Sequence, residues 1–546
     1  MKSLDKRINL HYNASINQRE DANMLNSKMK KLVTSMIALI LCLSSVSAMA
    51  CTAIYVGSDL TADGTTMFAR SEDISNSYNK LFYVSPAGKH TAGEEYAGCY
   101  GFTYTFKKDS YSYTAFSDDN GAAVNNECPD CGGTHAHTPY QAGGTNEMGV
   151  TVSATETIGC TGAIYEADPY LDTGIEEAEI PTVLLSEAST AKEAVDLLLS
   201  IYDTAGCAGG SGIFIADDKE TWYIENASGT QYVALKLSSS MAFAQPNMSI
   251  IGLIDLDDTE NVIASKDIIA VAEKAGSYVG DKEANTIDYV ASYNADQSTG
   301  SRMVNALKFF NAETAKDEPA VSDYTISNVN AEGDIVPMHT SIVLDHAYTV
   351  DDFVKYYHIA GIGSTRNLET HIFAISAQDG LTDTVEWVAM DDAALSVFVP
   401  YYPMLTTDTY EGYKLSTLPA EFAAGKPETA DVAYPTTKYQ KNENGERVPV
   451  EGYCALPADW ADSVYWTMDA LSNLYEAGDL NAEEKAKIDA ELADLQAQAY
   501  DVFDNMKAAV AAADSDEAKA AAATTASEEM AAKVHAACVA LVNEVK

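Results

Sequence analysis

Ala48-Met49-Ala50-Cys51-Thr52-Ala53-Ile54-Tyr55-Val56-Gly57 is the stretch on which the reading of this chain turns. Ala-x-Ala is the cleavage signature of an export signal. The residues before it complete that signal: Lys28, Lys30 and Lys31 are positive, and residues 32–43 are apolar. The apolar run is too short to span a bilayer, which takes about 20 residues. Met29 is the expected start, because residues 1–28 resemble neither signal nor fold. Cleavage after Ala50 would leave Cys51 first, on an apolar strand that ends at Gly57. A cysteine in first position carries a thiol and a free α-amine on one residue. The amine has an ordinary pKa of about 7.7–8.0, so part of it is neutral near pH 7. It can take the thiol proton directly or through a water, and the thiolate is then the nucleophile. Two other readings of Cys51 stand beside this one. It is a small buried residue, or it is the lipidated cysteine of an acidic, surface-anchored binding protein. Lipoprotein signals usually carry Leu three residues before the cysteine, where this chain has Ala48.

Outward from Cys51, the turn at Ala62-Asp63-Gly64-Thr65 leads into Thr66-Met67-Phe68-Ala69-Arg70, so the two runs read as a hairpin. Further strands are expected at 149–154, 211–215, 221–225, 231–237, 370–377, 385–390 and 394–398. Helices are expected at 181–202, 265–275 and 301–310. Strands and helices in separate batches imply sheets with helices packed outside them. The domain reading is a leader and signal over 1–50, a main unit over 51–423, a polar loop over 424–457 and a helical region over 458–546. Asn481-Ala482-Glu483-Glu484 reads as a helix start. The alanine-rich stretch at 508–523 is a good helix former with little to offer a core.

The chain has 34 Lys/Arg against 81 Asp/Glu, a formal net charge of −47. Seven of the basic and three of the acidic residues precede Cys51, so the remainder carries 27 against 78, a net −51. Such a chain repels a polyanion, which excludes nucleic acid as a partner. The acidity itself reads as a solvated surface. No second apolar run is long enough to span a membrane, so no integral membrane segment is expected. The expected partner is a small peptide, and self-association into a homo-oligomer is left open. The nine cysteines, at 42, 51, 99, 128, 131, 160, 207, 454 and 538, form no dense disulfide framework. Cys128-Pro129-Asp130-Cys131 and His135-Ala136-His137 lie close together. Cys128, Cys131, His135 and His137 are a candidate tetrahedral zinc set, with a Cys128–Cys131 disulfide or a plain glycine-rich loop as the other readings. Beyond that structural zinc, no cofactor is expected. Gly361 to Thr365 lacks the lysine of a phosphate-binding loop, and Asp255 to Asp258 lacks the EF-hand pattern.

Cys51-Thr52-Ala53-Ile54-Tyr55-Val56-Gly57, Asp63-Gly64-Thr65-Thr66 and Ala69-Arg70-Ser71-Glu72-Asp73 together resemble the start of the C69 dipeptidases. These are N-terminal nucleophile hydrolases, akin to penicillin V acylases and bile salt hydrolases. Asn146-Glu147-Met148-Gly149-Val150, residues 216–225 and Gln245-Pro246-Asn247 extend the resemblance in the same order. It implies an α+β fold, a four-layer αββα sandwich with a peripheral C-terminal helical tail. It also implies a secreted, periplasmic or extracellular cysteine dipeptidase, with a linear-amide acylase as the nearest alternative. By the same resemblance Arg70 lies beside the Cys51 thiol, Asp73 directs the α-amine, Asn247 donates to the oxyanion and Arg302 is a distal active-site arginine. Thr155 and Glu156 stand where acylases place a second oxyanion asparagine, and this chain departs from them there. Without the resemblance, Arg70 and Asp73 would read as an exposed ion pair, whose loss costs about 0–1 kcal/mol.

Overall fold

The computed structural model describes residues 51–545 apart from 74–78, 99–100, 120–139, 157, 295–301, 303–304, 307–308, 310–343, 345, 360, 378–379, 418–438, 442–446, 450–454 and 478–479. The apolar run after Cys51 forms the strand Thr52–Val56, and Thr65–Asp73 returns antiparallel to it, with Ala53 opposite Arg70 and Tyr55 opposite Phe68. These two strands sit inside a six-stranded antiparallel sheet. Its order is Ala242–Gln245, Thr52–Val56, Thr65–Asp73, Asn367–Ser376, Thr384–Met390, Val399–Tyr401. A second, eight-stranded sheet runs Val262–Ala264, Tyr232–Lys236, Thr221–Asn226, Ser211–Ala216, Thr151–Glu156, Gln141–Thr145, Tyr113–Asp118, Lys80–Ser85.

Side chains alternate across a strand. Phe68 and Arg70 therefore leave one face of the first sheet, and Ala69 and Asp73 leave the other. The Phe68 face meets the second sheet: Phe68 stacks on Phe214 at 5.1 Å, and Phe373 meets Phe116 edge-on at 6.4 Å. The far side of the eight-stranded sheet is covered by helices Ile180–Glu187 and Ala191–Thr204, whose Val183, Leu184, Val195 and Leu198 pack with Val152, Ile213 and Ile224. The far side of the six-stranded sheet carries helix Val350–Tyr357 and the C-terminal helices. The layers are thus helix, sheet, sheet, helix, the αββα sandwich expected. In Gln141–Thr145 two glycines let neighbouring strands close up, since a Cβ on Gly144 would lie 1.7 Å from the Thr114 carbonyl oxygen.

Three sequence expectations change. The single helix over 181–202 is two, because Ala188 turns extended and Thr190 caps the second helix by accepting from the Glu193 N–H. The strand over 394–398 is a short 3-10 turn, Ala393–Leu395, with the strand delayed to Val399–Tyr401. Asp392 causes the delay by accepting from the Ala394 N–H. The helical tail is less peripheral than its composition suggests. Helices Ala482–Ala512 and Asp516–Val545 are the outer layer itself: Trp387 packs edge-on against Tyr500 and Phe503 at 5.5 and 5.3 Å, and Ser527 donates to the Pro400 carbonyl at 2.7 Å. Asn481 and Glu484 close a capping box at the start of the first of them, as the sequence implied. Arg302, Asn305, Ala306 and Phe309 are helical, within the expected 301–310. Among the described residues no helix is long and apolar enough to cross a membrane.

Candidate active site

Cys51 directly precedes the first strand, Thr52–Val56, and is fully buried, with its sulfur on the side of the sheet that Arg70 faces. Arg70, one strand over, donates from Nη2 to Cys51 Sγ at 3.3 Å. The same nitrogen donates to Glu177 Oε1 at 2.7 Å and to the Tyr140 hydroxyl at 3.1 Å, and that hydroxyl donates to Glu177 Oε1 at 2.6 Å. Arg70 and Glu177 are each 1% exposed, so this is a buried ion pair. These three partners of Arg70 all meet at Nη2. Its Nε and Nη1 are buried with no hydrogen-bond partner among the described residues, and they are donors an anionic group of a substrate could use.

Asp73 lies on the opposite face of its strand, three residues on. Arg302 reaches it in an ion pair and donates through Nη1 to the Thr52 hydroxyl at 2.8 Å. Asn367 Nδ2 donates to Asp73 Oδ1, and the Tyr357 hydroxyl donates to the Thr52 carbonyl at 3.0 Å. The R-x-x-D spacing therefore does not make an Arg70–Asp73 pair. It puts one charged group on each face of the strand Thr65–Asp73, and both are buried, so the exposed-pair reading fails. Asn247 is half-buried in the left-handed conformation, φ 56°, just past the strand Ala242–Gln245 that flanks Thr52–Val56. Its loop is tied down by Glu225, which accepts from the Ile250 N–H at 2.7 Å and the Tyr223 hydroxyl at 3.0 Å. Cys128, Cys131, His135 and His137 lie outside the described residues. Among the described residues no cluster of His, Cys, Asp or Glu is arranged to hold a metal ion.

Burial pushes the Cys51 thiol up. The Arg70 charge pulls it down, Glu177 and Asp73 push it up, and Thr155 pulls it down, with a net upward result. A thiol so placed holds its proton near neutral pH, so a base must remove it. Burial also raises the Asp73 carboxyl, against the pull of Arg302 and Asn367. Behind Tyr140, the buried Lys80 ammonium sits 4.5 Å from the ring centre and pairs with Glu72 at 2.7 Å and with Asp118. Burial would lower this lysine, but Asp118 and Glu72 hold it above the ordinary range.

Glu177, Tyr140, Asn367 and Lys80 were not singled out from the sequence. Glu176-Glu177-Ala178-Glu179 stands just before a helix, where an acidic run normally faces water. Here all three glutamates are buried, which no local pattern announces. Between the sheets, Glu369 meets His371 Nδ1 at 2.9 Å and His371 Nε2 meets Ser153 Oγ at 2.8 Å. The order is that of a hydrolytic triad. These three lie between the sheets, with the His371 ring 4.8 Å from Phe116 and 4.9 Å from Phe373, and they form a hydrogen-bonded interior network.

Comparison with known proteins bears on this site. The profile of peptidase family C69 matches residues 50–423. Over 413 residues the chain is 31% identical to probable dipeptidase B of Streptococcus pyogenes serotype M18, covering 72% of this chain and 79% of that protein. It is 27% identical over 398 residues to a probable dipeptidase of Salmonella dublin, covering 68% and 85%. Among solved structures, penicillin V acylase from Agrobacterium tumefaciens aligns at 12% identity with a TM-score of 0.30, over 64% of this chain and 85% of that one.

Proposed function

This chain belongs to peptidase family C69, and we propose that it is an exported cysteine dipeptidase whose nucleophile, Cys51, is exposed by removal of residues 1–50. One observation carries the reading: the residue after Ala48-Met49-Ala50 has its sulfur 3.3 Å from a buried arginine, directly before the strand Thr52–Val56. In the reaction the freed α-amine takes the thiol proton and the thiolate attacks the scissile carbonyl. Asn247, with backbone N–H groups, donates to the resulting oxyanion. Collapse breaks the C–N bond, and the α-ammonium returns its proton to the leaving amine, leaving a thioester on Cys51. Water, deprotonated by the same amine, cleaves the thioester and regenerates the thiol. Arg70 supports the thiolate, while Asp73, held by Arg302 and Asn367, directs the amine. The periplasm or the extracellular space is the expected location, since the mechanism requires signal cleavage.

The test joins two measurements on the exported protein: intact mass and dipeptide hydrolysis. The expected result is an unmodified chain beginning at Cys51 that hydrolyses dipeptides, with Cys51→Ser far slower. A lipid adduct on Cys51, or full turnover by Cys51→Ser, overturns the proposal. Faster turnover of penicillin V or a conjugated bile acid than of any dipeptide would move the substrate class.

A further inference from the structure

We propose that Glu177 is a positioning residue for Arg70: it clamps Nη2, with the Tyr140 hydroxyl, so that the guanidinium edge is fixed against the Cys51 sulfur. The inference deepens the reading above and rests on Cys51 being the nucleophile. Arg70 arrives on a long, rotatable stem, and nothing in its own strand fixes the guanidinium. Glu177 does so from the segment leading into helix Ile180–Glu187, across the sandwich. Its Oε1 accepts from both Arg70 Nη2, at 2.7 Å, and the Tyr140 hydroxyl, at 2.6 Å. Tyr140 is itself held by the Lys80 ammonium over its ring. A buried carboxylate facing a buried guanidinium also removes the cost of an unpaired charge in the core.

The clamp has an electrical consequence that a merely structural glutamate would lack. Glu177 and the Cys51 thiolate compete for one positive charge. A neutral side chain of the same shape releases that charge to the sulfur, so the thiol becomes more acidic. Glu177→Gln keeps the acceptor oxygen and removes the charge, whereas Glu177→Ala removes both.

The experiment measures the pH dependence of iodoacetamide modification of Cys51, located by mass, together with kcat and KM for a dipeptide, in wild type and both variants. In Glu177→Gln the modification profile should move to lower pH by about one unit. In Glu177→Ala, kcat should fall about 10- to 100-fold with a smaller change in KM, because Arg70 is no longer aimed. An unshifted or upward-shifted profile in folded Glu177→Gln overturns the inference, whatever happens to Glu177→Ala. Wild-type kcat in Glu177→Ala overturns it as well. Failure of the underlying reading looks different: wild-type Cys51 would not be modified, and Cys51→Ala would still turn over.

Discussion

Arg70→Ala is the perturbation whose consequences the structure fixes most closely. At 3.3 Å from the sulfur, a unit charge in a medium of effective dielectric about 20 stabilises a thiolate by about 5 kcal/mol. Glu177, 2.7 Å from the same nitrogen, cancels part of that. The expected net rise in the Cys51 thiol pKa on losing Arg70 is therefore about 1–3 units. Removing the guanidinium also strands Glu177, whose side chain is 2% exposed. Leaving one partner of a buried pair uncompensated costs about 3–5 kcal/mol of stability, well above the cost of losing an exposed pair. The assay is the rate of iodoacetamide modification of Cys51 against pH, with urea unfolding run in parallel. Arg70→Ala should need a higher pH for half-maximal modification and should unfold at lower urea. Adding Glu177→Gln to Arg70→Ala should recover part of the stability, since no charge is then left buried. A profile that superimposes on wild type would refute the reasoning, for the arginine would then have no hold on the thiolate.

Other expectations follow from the same geometry. An exported chain that keeps a single residue before Cys51 should lose dipeptide hydrolysis, because the α-amine has become an amide; full activity would name another base. The fully buried Glu386, which accepts from the Thr114 hydroxyl at 2.7 Å, is pushed up to about 7 by burial. In the unfolded chain a glutamate ionises near about 4.3, so between these two values folding favours the protonated form. The stability Glu386 contributes is present at low pH and is lost as pH rises to about 7, by about 4 kcal/mol. Glu386→Gln should therefore flatten the decline in urea midpoint between pH 5 and pH 8, and an unchanged slope counts against it. Trp387→Ala, at the contact between the six-stranded sheet and the tail helix, should cost about 3–5 kcal/mol. It should leave the pH profile of thiol modification in place, since the tail supports the sheet from its outer face.

Much of the architecture was legible because it is written in local patterns. The hairpin of Thr52–Val56 and Thr65–Asp73 showed in an apolar run, a glycine turn and a second apolar run. The strands over 211–237 showed in their turns, and the Asn481 capping box in four residues. The short glycine-rich strand Gln141–Thr145 was not visible, because its pairing rests on close backbone approach and not on β-branched side chains. Helix 181–202 broke in two because a Thr190 cap competes with helix continuation, and a periodicity count does not weigh caps.

Within the site, position along the chain was enough to single out Cys51, since a cleavage signature and a nucleophilic residue coincide in sequence. Arg70 and Asp73 were singled out by resemblance, and it is the paired strands that show them leaving opposite faces, each toward a buried partner. What the sequence by itself determined is therefore whatever depends on neighbours a few residues apart: the strand that follows Cys51 and the family to which the chain belongs. Tertiary structure decided which charges are buried and what they face. Glu177 reaches Arg70 from 107 residues away and Asn367 reaches Asp73 from 294. The first contact is set by how the layers stack and the second by the pairing of two strands far apart in the chain, and no local sequence period records either.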